Sequence, residues 1–189
     1  MKQLDGTAMK RLHRDWRRRT HGRLALVLDD VQGPFNVGAI IRTAAALRVD
    51  DVWLTGHTPD PDDTKVGKTA LGTQRYVTFH RTDHAVSAVR AARSQGYGVI
   101  AIELADGARP LHEVVAGPST CLVVGHEDRG CAPVTLDACD AVAYLPLLGK
   151  VGSLNVATAA AMACYEVRRQ GWSTADGPET HPTGGVGLT

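Results

Sequence analysis

The sequence predicts a doubly wound, Rossmann-like α/β domain built on a parallel sheet. Short apolar runs alternate along the chain with segments whose apolar residues fall at helical spacing. In the first such unit, an apolar run from Leu24 to Leu28 is followed by helical spacing from Val37 to Leu47 and by a second apolar run from Val52 to Leu54. Strands that alternate with helices form parallel sheets, and these sheets bind ligands at the carboxyl ends of their strands.

The same alternation continues toward the end of the chain. Strands are predicted at 76–79, 99–102, 121–124 and 142–145, a helix at 85–93, and a long Ala-rich helix at 153–169. Residues 173–189 have no apolar periodicity and are rich in Gly, Pro and Thr, so we expect this tail to be disordered. The chain is therefore divided into a basic arm (1–23), one α/β domain (24–172) and the tail (173–189).

Composition excludes several classes of protein. With 189 residues, 43% of them hydrophobic, the chain can bury a core without a disulfide or metal staple. No apolar run is long enough to span a membrane, and no signal-peptide core follows the cationic start. The four cysteines include no CxxC pair and no secreted disulfide framework. We therefore expect a cytoplasmic protein with reduced thiols and without a metal site.

The arm carries most of the positive charge. Residues 10–23 contain seven cations and a single acid, Asp15, whereas the rest of the chain is net negative. The cations are Lys10, Arg11, Arg14, Arg17, Arg18, Arg19 and Arg23. A solvated helix face is the plainer interpretation, but this density favours contact with a nucleic acid, whose counterions are released when phosphates are neutralised.

Polar residues follow the first strand in the segment N-V-G-A-I-I-R, from Asn36 to Arg42. Asn36 stands at the predicted entrance of the helix, where Asn is a common N-cap. Arg42 lies among apolar residues on nearly every side of that helix. A charge in such surroundings needs a partner or a function.

Two later strands also end in unusual segments. The segment V-V-G-H-E-D-R-G occupies residues 123–130, with Gly125 and Gly130 on either side of Glu127. Glycines after a strand permit a tight turn and a close approach of the backbone to a ligand. The segment L-P-L-L-G-K-V-G-S-L-N-V-A occupies residues 145–157 and places Ser153 and Asn155 at a helix start, where an ordinary cap is the simpler role.

Together the three segments closely resemble the motifs of the SPOUT superfamily of RNA methyltransferases, and within it the TrmH (SpoU) group that methylates the ribose 2'-hydroxyl. The matching positions are Asn36, Arg42, Gly125, Glu127, Gly130, Pro146, Gly149, Ser153, Leu154, Asn155 and Val156. The resemblance implies a C-terminal trefoil knot, which general topology rules would not predict, and an obligate homodimer. His126 departs from the family pattern, which more often has an amide side chain there, and Lys150 occupies a position that is often apolar.

The resemblance also implies roles for individual residues. Arg42 is the candidate catalytic residue, and Asn36, Glu127, Ser153 and Asn155 would orient it and the target nucleotide. The cofactor would be S-adenosyl-L-methionine, converted to S-adenosyl-L-homocysteine, in a pocket formed by Ile102, Gly125, Leu145, Leu147, Gly149 and Leu154. Because a guanidinium stays protonated, it is a poor general base. We expect Arg42 to position the ribose or its phosphate and to lower the proton affinity of the hydroxyl.

The RNA substrate is expected to be tRNA. Ribosomal members of the group commonly carry a separate N-terminal RNA-binding domain, and about 23 residues precede the first strand here. The third motif looks more like the branch that acts on the D-loop guanosine, at tRNA position 18, than the branch that acts on the wobble position. The cations of the arm, together with Arg168, would hold the phosphate backbone.

Three alternatives stay open at this point. The enzyme could act on ribosomal RNA or on the tRNA wobble nucleotide, or the chain could bind RNA without turnover. A hydrolase that pairs Ser153 with His126 is disfavoured because Ser153 lacks a GxSxG elbow.

Overall fold

The computed structural model describes residues 2–175, with side chains as far as Trp172. Seven parallel strands form one sheet in the order β3-β2-β1-β6-β4-β7-β5. The strands are β1 Arg23–Leu28, β2 Asp51–Thr55, β3 Thr78–Thr82, β4 Gly98–Ile102, β5 Arg109–Pro110, β6 Ser119–Val124 and β7 Ala141–Tyr144. The helices are α1 Gly6–Arg19, α2 Pro34–Ala46, α3 Thr64–Ala70, α4 Ala85–Ser94, α5 Pro133–Ala138 and α6 Val156–Ala175.

The central position of β1 in the sheet explains why its sequence is apolar throughout. It lies between β2 and β6, and helices cover both faces of the sheet, so successive side chains enter two different cores. Leu24, Leu26 and Leu28 join the core that contains α2 and α6, whereas Ala25 and Val27 join the core that contains α4. A strand buried on both faces needs no polar alternation.

The sheet brings the three motif segments to one edge. Connections run from β1 to β2 and β3 on one side, while β6 pairs with β1 and β4 on the other. The carboxyl ends of β1 and β6 therefore meet where the strand order reverses, which is the usual ligand site of such folds. The segments that follow β1, β6 and β7 all leave the sheet at this edge.

Several predicted boundaries are wrong, for identifiable reasons. Helix α2 begins at Pro34, a residue suited to the first helical position, so Gly33 is its cap and Asn36 lies inside the first turn. Tyr76 lies in a 3-10 turn, and the third strand starts at Thr78, in register with Asp51 of β2. Helices α3 and α5 and the two-residue edge strand β5 were not predicted, because all three are too short to show periodicity.

The last helix also differs from its prediction at both ends. It starts at Val156 because Asn155, and not Ser153, caps it, and it continues to Ala175. The remainder of the predicted disordered tail, from residue 176, lies outside the described residues.

Arg168 corrects an expectation about RNA contact. Its side chain is buried, with 4% of the residue exposed. The guanidinium donates hydrogen bonds to the backbone oxygens of Leu47, Gly22 and Arg48. Burial lowers the pKa of Arg168 from its usual value. Arg168 therefore connects α6 to the C-terminal end of α2 and to the residue before β1. It does not present a charge to a phosphate.

Helix α1 lies on the outside of the domain. None of its residues is buried, and all its cations are exposed. The contact with α6 is aromatic: the Trp16 and Trp172 ring centroids are 5.0 Å apart, and Trp172 Nε1 donates to Thr20 Oγ1 at 2.7 Å. The apolar side of α1 thus anchors it, and its basic side faces solvent.

Among residues 2–175 no helix is both long and apolar enough to cross a membrane. Within the same range no group of three or more His, Cys, Asp or Glu side chains could hold a metal ion. The four cysteines are free, and burial raises the pKa of Cys139 and of Cys164 to about 12.

Candidate active site

Glu127 joins the second motif to the first. Its Oε1 accepts hydrogen bonds from Asn36 Nδ2 and from the backbone N–H of Gly33, both at 2.8 Å. Its Oε2 accepts from the backbone N–H of Gln32 at 3.1 Å. One carboxylate therefore holds the whole entrance of α2 against the turn that follows β6.

Asn155 joins the third motif to the same group. Its Nδ2 donates to Asn36 Oδ1 at 2.9 Å, while its own Oδ1 accepts from the N–H groups of Ala157 and Thr158 and caps α6. Asn36 uses its amide nitrogen toward Glu127 and its amide oxygen toward Asn155. The three side chains form a continuous network, and the partners of Asn36 determine the orientation of its amide.

The network keeps Glu127 ionised. Partial burial raises the pKa of its carboxyl, but hydrogen bonds from Asn36, from its own backbone, from Gly33 and from Gln32 together lower the pKa below the usual value. A carboxylate that accepts from this many donors is a positioning group. It is poorly suited to carry a proton during a reaction at neutral pH.

Glycines are required at two points in this site. A Cβ at Gly33 would lie 2.5 Å from Glu127 Oε1 and 2.8 Å from Asn36 Nδ2. A Cβ at Gly125 would overlap the backbone of Gly130 and Cys131, because the turn after β6 closes on itself through paired hydrogen bonds between His126 and Gly130. Both glycines permit a close approach that any side chain would block.

Arg42 lies apart from the network. Its neighbours Val37, Ile40 and Ile41 face the core, whereas Arg42 is exposed on the outer face of α2. The prediction of apolar surroundings on every side is therefore wrong. Within the described residues its guanidinium has no hydrogen-bond or ion-pair partner. Phe35, seven residues earlier on the same face, is 54% exposed.

Ser153 is likewise exposed and outside the network. It lies in the loop before α6, and its hydroxyl has no hydrogen-bond partner among the residues that the structure describes. Arg42 and Ser153 are thus the two predicted catalytic residues that are free to meet a ligand. Asn36, Glu127 and Asn155 are already engaged with one another.

The residues predicted to hold the cofactor lie along the same edge. Leu145, Leu147 and Leu154 are half-buried, Gly149 is exposed, and Ile102 ends β4 with 9% of its surface exposed. Residues 147–154 make no backbone hydrogen bond to any part of the described chain. Apolar side chains beside open N–H and C=O groups suit an adenosine, which presents a flat ring and several polar edges.

Sequence analysis missed two positioning residues. Glu103, directly after β4, accepts from the backbone N–H of Cys131 at 2.9 Å and packs against Gly130, so it braces the second motif. Asp30 adopts a left-handed backbone conformation after β1, with φ of 56°, and binds Gln32 and Arg129. The available signal was an acid at the end of an apolar strand: Glu103 follows β4, and the pair Asp29 and Asp30 follows β1.

Comparisons with known proteins agree with this geometry. A family model described as the SpoU rRNA Methylase family matches residues 23–165. The 23S rRNA (guanosine(2553)-2'-O)-methyltransferase RlmP of Bacillus subtilis is 36% identical over 146 residues, 77% of this chain and 58% of that protein. The chain spans a little more than half the length of the curated relatives it matches.

Two crystal structures have the same fold. An AdoMet-bound rRNA methyltransferase from Sinorhizobium meliloti aligns with a TM-score of 0.73 at 28% identity, over 80% of this chain and 57% of that one. A TrmH/SpoU tRNA modifying enzyme of A. aeolicus aligns with a TM-score of 0.70 at 27% identity, over 88% and 85%. The α/β SPOUT fold with its C-terminal knot is confirmed, and the chain belongs to the SpoU rRNA methylase family.

Proposed function

We propose that this protein is an S-adenosylmethionine-dependent RNA methyltransferase that modifies the ribose 2'-hydroxyl. The observation that carries the proposal is the bridge that Asn36 makes between Glu127 and Asn155. It joins all three motifs at one edge of the sheet and leaves Arg42 and Ser153 open to a ligand. The names of the relatives agree, since RlmP is a ribose methyltransferase.

The cofactor residues form a continuous cradle in this proposal. Leu145, Leu147 and Leu154 would enclose the adenine ring, and the open peptide groups around Gly149 would meet its polar edges. Gly125 would let the backbone approach closely, with Ile102 beneath it. S-adenosylmethionine would supply an electrophilic methyl group and a neutral leaving group. The proposal includes no metal ion.

Arg42 would act on the RNA. A guanidinium beside the ribose and its phosphate fixes their position and stabilises the negative charge that develops on the 2'-oxygen, which helps the proton leave to water. Ser153 would hydrogen-bond the same nucleotide. The Asn36, Glu127 and Asn155 network would keep the loops that carry these groups in register, since methyl transfer depends on alignment of the oxygen with the methyl carbon.

The active form would be a homodimer. Arg42 shares an exposed face of α2 with Phe35, and Met162 and Tyr165 are exposed on α6 beside a groove of about 460 Å³. A second copy of the chain would cover these apolar residues and enclose Arg42, whose free guanidinium needs neighbours to be effective. A cytoplasmic location stays a prediction.

The substrate we propose is tRNA, at the D-loop guanosine. The similarity to the TrmH/SpoU tRNA modifying enzyme of A. aeolicus, which extends over most of both chains, supports tRNA. The exposed cations of α1, Lys10, Arg11, Arg14, Arg17, Arg18 and Arg19, would bind its phosphates. The similarity to RlmP favours ribosomal RNA as the second candidate.

The test is methyl transfer to defined RNAs. Purified protein is incubated with methyl-labelled S-adenosylmethionine and unmodified tRNA transcripts or ribosomal RNA, and 2'-O-methyl positions are mapped by resistance to alkaline cleavage. Label at the D-loop guanosine is the expected result. Label only in ribosomal RNA or at the wobble nucleotide would keep the reaction and replace the substrate. Cofactor binding without label in any RNA would reject the enzyme and favour a silent RNA-binding protein.

A further inference from the structure

A cleft of about 900 Å³ lies on the far side of the second-motif turn. It opens at the carboxyl ends of β1, β2, β3 and β6. The turn between β6 and α5 separates it from the network described above: Glu127 points to Asn36, whereas His126 and Arg129 line the cleft. The cleft therefore opens at the same carboxyl ends of the strands as the network, but on the face of the sheet that α4 and α5 cover.

On one wall of the cleft, the Asp30 carboxylate already has hydrogen-bond partners within the protein. The Asp30 carboxylate accepts from the backbone N–H of His57 at 2.8 Å, from Gln32 Nε2 at 3.1 Å and from Arg129 at 2.7 Å. Burial raises the pKa of Asp30, but hydrogen bonds from the backbone and ring of His57 and from Gln32 lower it below its usual value, so the carboxylate is ionised. Arg129 pairs with Asp30, whereas Asp29 and Asp83 add two further acidic side chains to the lining, so a bound phosphate depends on Arg90.

The opposite wall carries polar side chains that have no partner within the described residues. His84, Ser87 and Arg90 lie three residues apart at the start of α4, and all three line the cleft. Their side chains are exposed and have no hydrogen-bond or ion-pair partner within the described range. Across from them, His126 Nδ1 accepts from the N–H of Asp128 at 3.0 Å, which leaves the other ring nitrogen of His126 as a donor.

We propose that this cleft binds an unpaired nucleotide of the RNA substrate. Arg90 would bind its phosphate, the imidazole of His84 or His126 would stack on the base, and Ser87 would hydrogen-bond a base edge. Stacking on flat side chains with polar contacts to exposed base edges is how proteins read single-stranded RNA. The volume suits one nucleotide, since ligand sites commonly measure about 300 to 1,000 Å³.

This inference rests on the proposed function and narrows its substrate. A nucleotide that enters the cleft cannot remain in a double helix, because its base must leave the stack. The substrate would therefore be a loop or an opened segment, and the identity of the base in the cleft would affect the rate.

The first test measures binding without methyl transfer. A fluorescein-labelled ten-nucleotide single-stranded RNA is titrated by anisotropy against the full chain, the His84→Ala/Arg90→Ala variant and the control Arg93→Ala. Arg93 lies on the same helix but pairs with Asp140 outside the cleft. We expect the double variant to bind about fivefold more weakly and the control to change less than about twofold. Equal binding by the double variant would overturn the proposal.

The second test locates the bound base. The same RNA with 4-thiouridine is photo-crosslinked, and the modified peptides are identified by mass spectrometry. Crosslinks to peptides that contain His84 or His126 support the cleft, whereas crosslinks confined to α1 reject it. Cofactor binding should be equal in all variants. Because neither test requires turnover, absence of methyl transfer would refute the proposed function without altering the result for the cleft.

Discussion

Two carboxylate-centred networks lie at opposite edges of the same sheet, and they differ in what they leave open. At the carboxyl edge, Glu127 and Asn155 hold Asn36, whereas Arg42 on the outer face of α2 and Ser153 in the loop before α6 are exposed and have no side-chain partner among residues 2–175. At the amino edge, Asp51 accepts from Tyr97 Oη and pairs with His80 Nε2, both at 2.7 Å, and with Arg23 at 3.5 Å.

The amino-edge network is closed. The His80 ring stacks on buried Trp53 with centroids 4.8 Å apart, and the Arg23 guanidinium lies 4.2 Å from the centroid of the Tyr97 ring. Each of its four polar side chains, Asp51, Tyr97, His80 and Arg23, has a partner within the described residues. Similar chemistry can therefore serve stability at one edge and, in the proposed enzyme, ligand binding at the other. The distinguishing feature is the presence of donors without partners on the motif segments.

The largest expected effect is on the rate of methyl transfer when Arg42 is replaced. Arg42→Ala should reduce the rate of methyl transfer by about 10² to 10³, as is typical when a group that stabilises developing charge is removed. Because Arg42 has no hydrogen-bond or ion-pair partner among residues 2–175 of its own chain, the melting temperature should change by no more than a few degrees. Single-turnover rates with labelled cofactor, together with thermal unfolding, check both statements.

A lysine at the same position sharpens this prediction. Lys keeps the charge but not the planar pair of donors, so Arg42→Lys should resemble Arg42→Ala if bidentate contact is what matters. Full activity in Arg42→Ala would remove Arg42 from the site altogether.

The next effect concerns the network itself. Glu127→Gln keeps the shape but replaces one accepting oxygen with an NH₂ group, which would face the N–H donor of Gln32 or those of Asn36 and Gly33. We expect a loss of about tenfold to a hundredfold in the rate, by misalignment, and a smaller loss of stability, about 1 kcal/mol. Kinetics and denaturant unfolding measure the two. A variant that loses stability but keeps its rate would make Glu127 purely structural.

Asp51→Asn is the matched change at the closed edge. It removes a largely buried charge, with 13% of the side chain exposed, from His80, Tyr97 and Arg23. We expect the free energy of unfolding to fall by about 2 kcal/mol and the methylation rate of the folded protein to stay the same. A rate loss comparable to that of Glu127→Gln would contradict the distinction between the two edges.

The pH dependence of stability follows from the same carboxyl. Burial raises the pKa of Asp51, but hydrogen bonds from His80 and Tyr97 outweigh it, so the folded pKa is below the usual value. Its contribution is therefore present above the unfolded pKa, near 4, and is lost as the pH falls through the folded value. Asp51→Asn should flatten the acid side of a stability curve measured by urea unfolding.

Local patterns could predict the order of elements and the edge where the motifs meet, because apolar periodicity and strand order are local properties. They could not show that Asn36 bridges Glu127 and Asn155, since that contact joins positions about 90 and 120 residues apart. Arg168 was assigned to the surface for the same reason: its partners are backbone oxygens of distant residues. The position of Asn36 within α2 could have been predicted, because Pro34 marks the first helical residue.

The smallest expected effect compares two glycines of the same chain. Gly33→Ala would place a methyl group against Glu127 and Asn36, whereas a Cβ at Gly67, within α3, meets nothing within 4 Å. Gly67→Ala should stabilise the fold by about 0.5 to 1 kcal/mol through helix propensity and leave the rate unchanged. Gly33→Ala should lower the rate several-fold and the stability slightly, because the Glu127 carboxylate must move. If both variants keep the full rate, the geometry around Gly33 is not what aligns the site, and exposed Arg42 and Ser153 must be held by other contacts.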